Sequence, residues 1–209
     1  MKALPPEFYD RPVVEVARDL IGCTVEHGGA AGVIVETEAY HDSEPACHAF
    51  VGLTPRTRTL FGPPGRAYVY RSYGIHALLN AVCEAEGVGA AVLIRALEPA
   101  AAGLEAMRAR RAAGSRDPIA GVRLADGDLC SGPGKLTQAL GVSLQDNESD
   151  LSWGAVRILA AQGRWLDPPV VVGTRIGITR AVELPWRFCV AGNVNVSRPR
   201  PRASVSRPG

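Results

Sequence analysis

The chain has 209 residues, 46% hydrophobic and 21% charged, with a formal net charge of +2. That balance suits a globular protein able to bury a core without metals or disulfides. No apolar run reaches the roughly 18 residues that would suggest a membrane-spanning helix. The opening MKALPPEFYD lacks the apolar segment of a secretion signal, so a cytoplasmic protein, nucleoid-associated if bacterial, is expected.

In chain order, Pro12 follows Asp10 and Arg11 as in the first turn of a helix. Val13, Val16, Ala17, Leu20 and Ile21 then recur at helical spacing up to Gly22. Residues 23 to 40 read as a hairpin, with a short strand at 23–26, a Gly-rich turn at 28–32 and a strand at 33–40. Residues 41 to 66, rich in Pro, Gly, Thr and Arg, read as a long structured loop of the kind that often carries function. Strands are predicted at 67–73, 90–97, 170–178 and 187–190, and helices at 100–112 and 135–140. The order is mixed, without regular strand–helix alternation. The expectation is therefore an α+β fold, a single mixed domain over residues 1–199. The proline- and arginine-rich end, residues 200–209, reads as a disordered basic tail.

Cys23, Cys47, Cys83, Cys130 and Cys189 are odd in number and contain no C-x-x-C, which argues against a disulfide framework or a four-ligand zinc site. The segment GDLCSGPGK at 127–135 fails the phosphate-loop pattern, since Pro133 follows Gly132 and Leu136 follows Lys135. It reads as a turn opening a helix. Of 23 basic residues, only Lys2 and Lys135 are lysines. Arginine suits phosphate recognition, although a compositional bias would give the same count. Residues 45 to 83 hold no Asp or Glu but carry Arg56, Arg58, Arg66 and Arg71.

The strand VIVETEAY raises a choice. Alternation puts Ile34, Glu36, Glu38 and Tyr40 on one face, with the two carboxylates roughly 7 Å apart. Such a pair suits acid/base chemistry at a sugar carbon, and equally suits a solvated face paired with arginine. Tyr68, Tyr70 and Tyr73 fall within the acid-free arginine window, a mixture suited to stacking unpaired bases beside phosphate contacts and also to ordinary strand composition. Arg95, inside the apolar run AAVLIRAL, demands a buried carboxylate partner.

The ordered set VETEAY, a histidine, TPR-x-R, PPG-x-AYVY-x-x-YG, Asn80, LIRALEP and CSGPGKL resembles the 3-methyladenine (alkyladenine) DNA glycosylase family, from about Leu4 to about Pro199. The resemblance implies a mixed domain around a curved antiparallel β-sheet with flanking helices. It implies a monofunctional glycosylase of base excision repair that flips alkylated or deaminated purines and hydrolyses the N-glycosidic bond. No metal or cofactor is implied, and the partner is damaged double-stranded DNA, bound by a monomer that does not engage membranes. By the same resemblance Glu38, immediately before Ala39-Tyr40, is the general base. Arg95 and the main-chain carbonyl of Ile176 complete a water site. Tyr40, His48 and Tyr70 stack on the flipped base, Asn80 crowds a guanine amino group, and Tyr73 enters the duplex in place of the flipped base. Arg56, Arg58 and Arg66 become phosphate-contact candidates. Where family members often carry extra arginines, this chain has Val51 and Leu53, and Arg71-Ser72 stands where an apolar pair is expected before Tyr73. Two other readings stay open on the residues alone: a non-catalytic nucleic-acid-binding module, and a carbohydrate hydrolase using Glu36 and Glu38.

Overall fold

A computed structural model describes residues 1–72, 74–114 and 124–201. The domain is built on an eight-stranded antiparallel sheet: β1 (Thr24–His27), β2 (Ala30–His41), β3 (Ala67–Ser72), β4 (His76–Val82), β5 (Ala90–Pro99), β6 (Arg157–Leu159), β7 (Val170–Gly173) and β8 (Arg187–Val190). The spatial order is β3-β4-β5-β2-β1-β6, with β8 also paired to β2 and β7 to β8. Together with the flanking helices this is the expected single mixed α+β domain.

The twelve-residue β2 organises the sheet. One edge pairs with β5, and the other with β1 at its start and β8 at Glu36–Glu38. The two glutamates therefore lie in the sheet interior, not on a solvated edge. The expected face assignment of Ile34 is corrected here. Pairing runs Ile34↔Leu97, Glu36↔Ala96, Thr37↔Ile94, so Val35 on β2 and Arg95 on β5 are both extra residues. This irregularity shifts the alternation. Ile34 and Val35 both enter the core, while Glu36 and Glu38 turn to the opposite face and Thr37 binds the helix-side Ala17 carbonyl at 2.7 Å. A bulge that re-aims side chains is a recurrent device beside functional sites.

The helix Val13–Asp19 begins as its apolar spacing indicates, and Val13, Val16 and Ala17 are buried. Asp10 does not cap it. The Val13 N–H donates to Glu84 Oε1, 2.9 Å away and 71 residues distant in sequence, a partner local patterning cannot reveal. The helix Pro133–Leu140 opens with Gly132 before Pro133 at its start, as read from GPGK, and packs on β4 and β5. The helix Leu104–Ala113 lies against it.

Three strand assignments change. β4 and β6 were not anticipated: HALLNAV offers a single β-branched residue, and β6 has only three residues. The strand expected at 170–178 stops at Gly173, after which the chain leaves the sheet for the cavity described below. At the C-terminal end, Arg200 still bonds the carbonyls of Val196 and Val194, while residues 202–209 of the expected tail lie outside the described residues. Among the described residues no helix is long and apolar enough to cross a membrane.

Candidate active site

The sheet face opposite the main core carries a second apolar cluster of Cys47, Ala49, Leu60, Tyr68, Val82 and Ala91, flanked by Tyr40, Phe61 and Tyr70. A cavity of about 630 Å³ opens beside it, lined among others by Tyr40, His48, Tyr70, Asn80, Arg95 and Ile176. That volume lies within the usual range for small-ligand pockets. Six residues singled out from the sequence thus meet in one place. Gly89 helps hold His48 there. A Cβ at position 89 would collide with Ala49 and come within 2.9 Å of the Phe61 ring, so only glycine lets the His48 segment lie this close to the start of β5.

Glu38 sits just beneath the cavity with no exposed surface. Its Oε1 accepts from the Ile176 N–H at 2.8 Å, and its Oε2 from Arg95 Nη1 at 3.0 Å and the Tyr40 hydroxyl at 2.8 Å. Three donors fill three of the carboxylate's roughly four acceptor positions. Burial raises its pKa, and although Arg95, the Ile176 N–H and the Tyr40 hydroxyl pull the other way, the net shift is upward.

Glu36, two residues away and equally buried, behaves oppositely. Its Oε1 accepts from Arg95 Nε at 2.8 Å, Arg187 Nε at 2.9 Å and Ser197 Oγ at 2.8 Å, and its Oε2 from the Ser197 N–H at 2.7 Å. Burial pushes its pKa up, but two guanidinium groups and the Ser197 N–H outweigh that, and the net shift is downward. The face therefore holds two carboxylates with opposite shifts, one kept as an anion and one drawn toward its neutral form, a separation typical of functional acids.

The aromatic wall is continuous. The His48 and Tyr70 rings meet edge to face at 4.6 Å, Tyr70 stacks on Tyr68 at 5.3 Å, and His48 Nδ1 lies 3.1 Å from the Tyr68 hydroxyl. Burial and the nearby Arg56 lower the His48 pKa, which keeps the ring neutral, and burial raises that of Tyr70 to about 12. Asn80 Nδ2 donates to the Tyr68 carbonyl at 3.0 Å, which fixes the side chain against its strand.

The arginines divide. Arg56 lines the cavity. Arg58 and Arg66 do not: Arg58, 74% exposed, lies 3.6 Å from Glu148, and Arg66 lies 3.7 Å from Asp150. Tyr73 lies outside the described residues. Among the described residues no cluster of three His, Cys, Asp or Glu is arranged to hold a metal.

The sequence reading missed several site residues. Arg187 and Ser197 hold Glu36, and His76, Arg111 and Lys135 line the cavity. Arg187 was detectable, since it sits in the apolar strand RFCV just as Arg95 sits in its own. The Ile176 N–H, rather than its carbonyl, makes the contact seen with Glu38.

The methylpurine-DNA glycosylase family matches residues 7–194 of the chain. The chain belongs to that family. Relatives named as 3-methyladenine DNA glycosylases include one from Bradyrhizobium diazoefficiens, 53% identical over 201 residues that cover 96% of this chain and 94% of that protein. Another, from Methanoculleus marisnigri, is 48% identical over 200 residues, covering 93% of this chain and 98% of its own length. A third, from Rubrobacter xylanophilus, is 49% identical over 193 residues, covering 89% and 92%. Family membership makes the chain a DNA glycosylase of the 3-methyladenine type, a hydrolase of N-glycosyl bonds in DNA repair whose partner is damaged DNA. The readings as a non-catalytic binding module and as a carbohydrate hydrolase fall with that assignment.

Proposed function

We propose that this glycosylase extrudes alkylated and deaminated purines, such as 3-methyladenine, hypoxanthine and 1,N6-ethenoadenine, and releases them with a water deprotonated by Glu38. The observation that carries the reading is the buried Glu38 carboxylate, oriented by three donors directly under an aromatic cavity. The sugar carbon is inaccessible while the base is stacked, so the nucleotide must leave the duplex. The water oxygen bonds to C1′, the N-glycosidic bond breaks with its electron pair going to the purine, and the water proton passes to Glu38. An abasic site and the free base remain. The fourth acceptor position of Glu38 is the one available for the water, and Arg95, which lines the cavity and donates to the same carboxylate, orients it. The Ile176 carbonyl is proposed as a further acceptor, on a segment already fixed to Glu38 through its N–H.

His48 and Tyr70 touch each other, so both belong to one wall, and the base is assigned to the space between that wall and Tyr40. Asn80, held by its amide nitrogen, is assigned to crowd a guanine amino group. A cationic 3-methyladenine is already a good leaving group; hypoxanthine, being neutral, needs protonation as it departs. Arg56, at the cavity, and the exposed Arg58 are assigned to phosphates. Arg66 is assigned to the same role more weakly, since it already lies beside Asp150.

The test is single-turnover release of hypoxanthine or 1,N6-ethenoadenine from duplex DNA by the intact chain; no release from any damaged purine defeats the reading. With a cationic lesion, whose departure needs no added proton, the rate is expected to fall as the pH is lowered through the titration of Glu38. Because the pKa of Glu38 is raised, that acid limb should lie above the ordinary carboxylate value of about 4.3. An acid limb at or below that value would remove Glu38 as the base. Tyr73 is assigned as the aromatic wedge that fills the gap left by the base. Tyr73→Ala is expected to lower excision about tenfold or more while leaving binding to undamaged DNA within about threefold, as judged from the few kcal/mol of unstacking that a wedge offsets. Unchanged excision discards the wedge.

A further inference from the structure

Arg175 takes no part in the chemistry above, yet its side chain is completely buried against the site. Its Nη1 donates to Glu44 Oε1 at 2.6 Å and to the Ala39 carbonyl at 3.0 Å, and its Nη2 to the Ala181 carbonyl at 3.2 Å. Its Nε has no hydrogen-bond partner among the described residues. The guanidinium carbon lies over the Tyr40 ring, 4.7 Å from its centroid, and 5.3 Å from the centroid of Trp186. Tyr40 lines the cavity and Arg175 does not, so the cation meets the ring from outside the cavity. Glu44 meets the guanidinium through Nη1, while the guanidinium carbon lies over the Tyr40 ring.

A purely mechanical clamp needs only the hydrogen bonds to Glu44, Ala39 and Ala181. A buried cation over an aromatic ring does more. It draws on the π density that the ring offers to whatever stacks on it. The Tyr40 hydroxyl donates to the Glu38 carboxylate, which enriches the ring, and Arg175 opposes that enrichment. Purines damaged by N-methylation often carry a full positive charge, whereas deaminated purines are neutral, so the two classes differ in how much they depend on that π density.

We infer that Arg175 is a specificity-determining residue: acting through Tyr40 from outside the cavity, it weakens stacking of positively charged purines relative to uncharged ones. The inference rests on the proposed seating of the base against Tyr40.

The test compares binding of two duplexes of identical sequence, one with 3-methyladenine (cationic) and one with hypoxanthine (neutral), neither of which carries the guanine amino group. It uses the full chain in a Glu38→Gln background so that neither base is released. The double change Arg175→Met with Glu44→Gln removes the cation without leaving a buried carboxylate unpaired. It is expected to raise the affinity ratio, cationic over neutral, by roughly three- to tenfold. Glu44→Gln alone leaves Arg175 without its counter-charge and is expected to move the ratio the opposite way. This milder variant keeps the inference testable if the double variant does not fold. Loss of affinity for both duplexes by the same factor, or an unchanged ratio in Glu44→Gln, would mean that Arg175 only holds the fold, and overturns the inference. Failure of the chain with Glu38 intact to release either base overturns the proposed function instead, and is read in a separate assay.

Discussion

Glu38→Gln is expected to reduce single-turnover base release at least about a hundredfold, because a positioned general base is worth about 10²–10⁴ in rate. The substitution preserves shape, and a glutamine oxygen can still accept from the Ile176 N–H or from Arg95, which both bond the carboxylate at 3.0 Å or less. What is lost is the capacity to take a proton. Stability should move the other way. Burial raises the folded-state pKa of Glu38, so the folded chain disfavours its anion more than the unfolded chain does. That penalty grows as pH rises through the ordinary carboxylate range and is fully present above the raised folded-state value. Removing the charge therefore should not lower the thermal midpoint at high pH. A variant that unfolds early and loses activity in proportion would show that Glu38 serves the fold. A variant with less than tenfold loss in the folded population would show that another group takes the proton.

How much of this site the sequence revealed depended on whether a residue's partners lie nearby in the chain. Alternation along VETEAY brought Glu36, Glu38 and Tyr40 to one face, because a strand enforces period two whatever surrounds it. It misplaced Ile34, because the extra residues Val35 and Arg95 lie on strands about sixty positions apart and only their pairing exposes the bulge. The demand of Arg95 for a carboxylate was legible as physics, but the division of its nitrogens between Glu36 and Glu38 was not. Tyr68 and Tyr70, two positions apart on a strand, share a face by the same alternation and do stack. The Ile176 segment was read as a strand because VVVGTRIGI is rich in β-branched residues. The strand instead ends at Gly173, and beyond it Arg175 is bonded to Ala39 and Glu44, more than 130 positions earlier. Alternation alone never separated Glu36 from Glu38; the family resemblance did, and their surroundings then give the distinction a physical basis.

That basis yields the second large effect. Glu36→Gln is expected to destabilise the protein by about 3–5 kcal/mol, the usual result of removing one partner from a buried ion pair. In a chain of this size that corresponds to a fall of about 6–20 °C in thermal midpoint. Among the described residues Glu36 is the only carboxylate paired with Arg187, and it shares Arg95 with Glu38. Without its charge, two buried guanidinium groups face the single carboxylate of Glu38. The pH dependence fixes the sign. The Glu36 pKa is lowered in the folded state, so its contribution is fully present above the ordinary carboxylate value of about 4.3 and is lost as pH falls through the depressed one. The stability gap between wild type and Glu36→Gln should thus be constant near neutrality and close in acid, whereas Glu38→Gln should open no such gap. Base release by the folded fraction of Glu36→Gln should remain within about tenfold of wild type, since Arg95 keeps its bond to Glu38 and the proton acceptor is untouched. Equal losses of activity in the two variants, measured well below both midpoints, would contradict the separation of roles: Glu36 would then act on the water as directly as Glu38 does, and the opposite pKa shifts of the pair would have no bearing on which one accepts the proton.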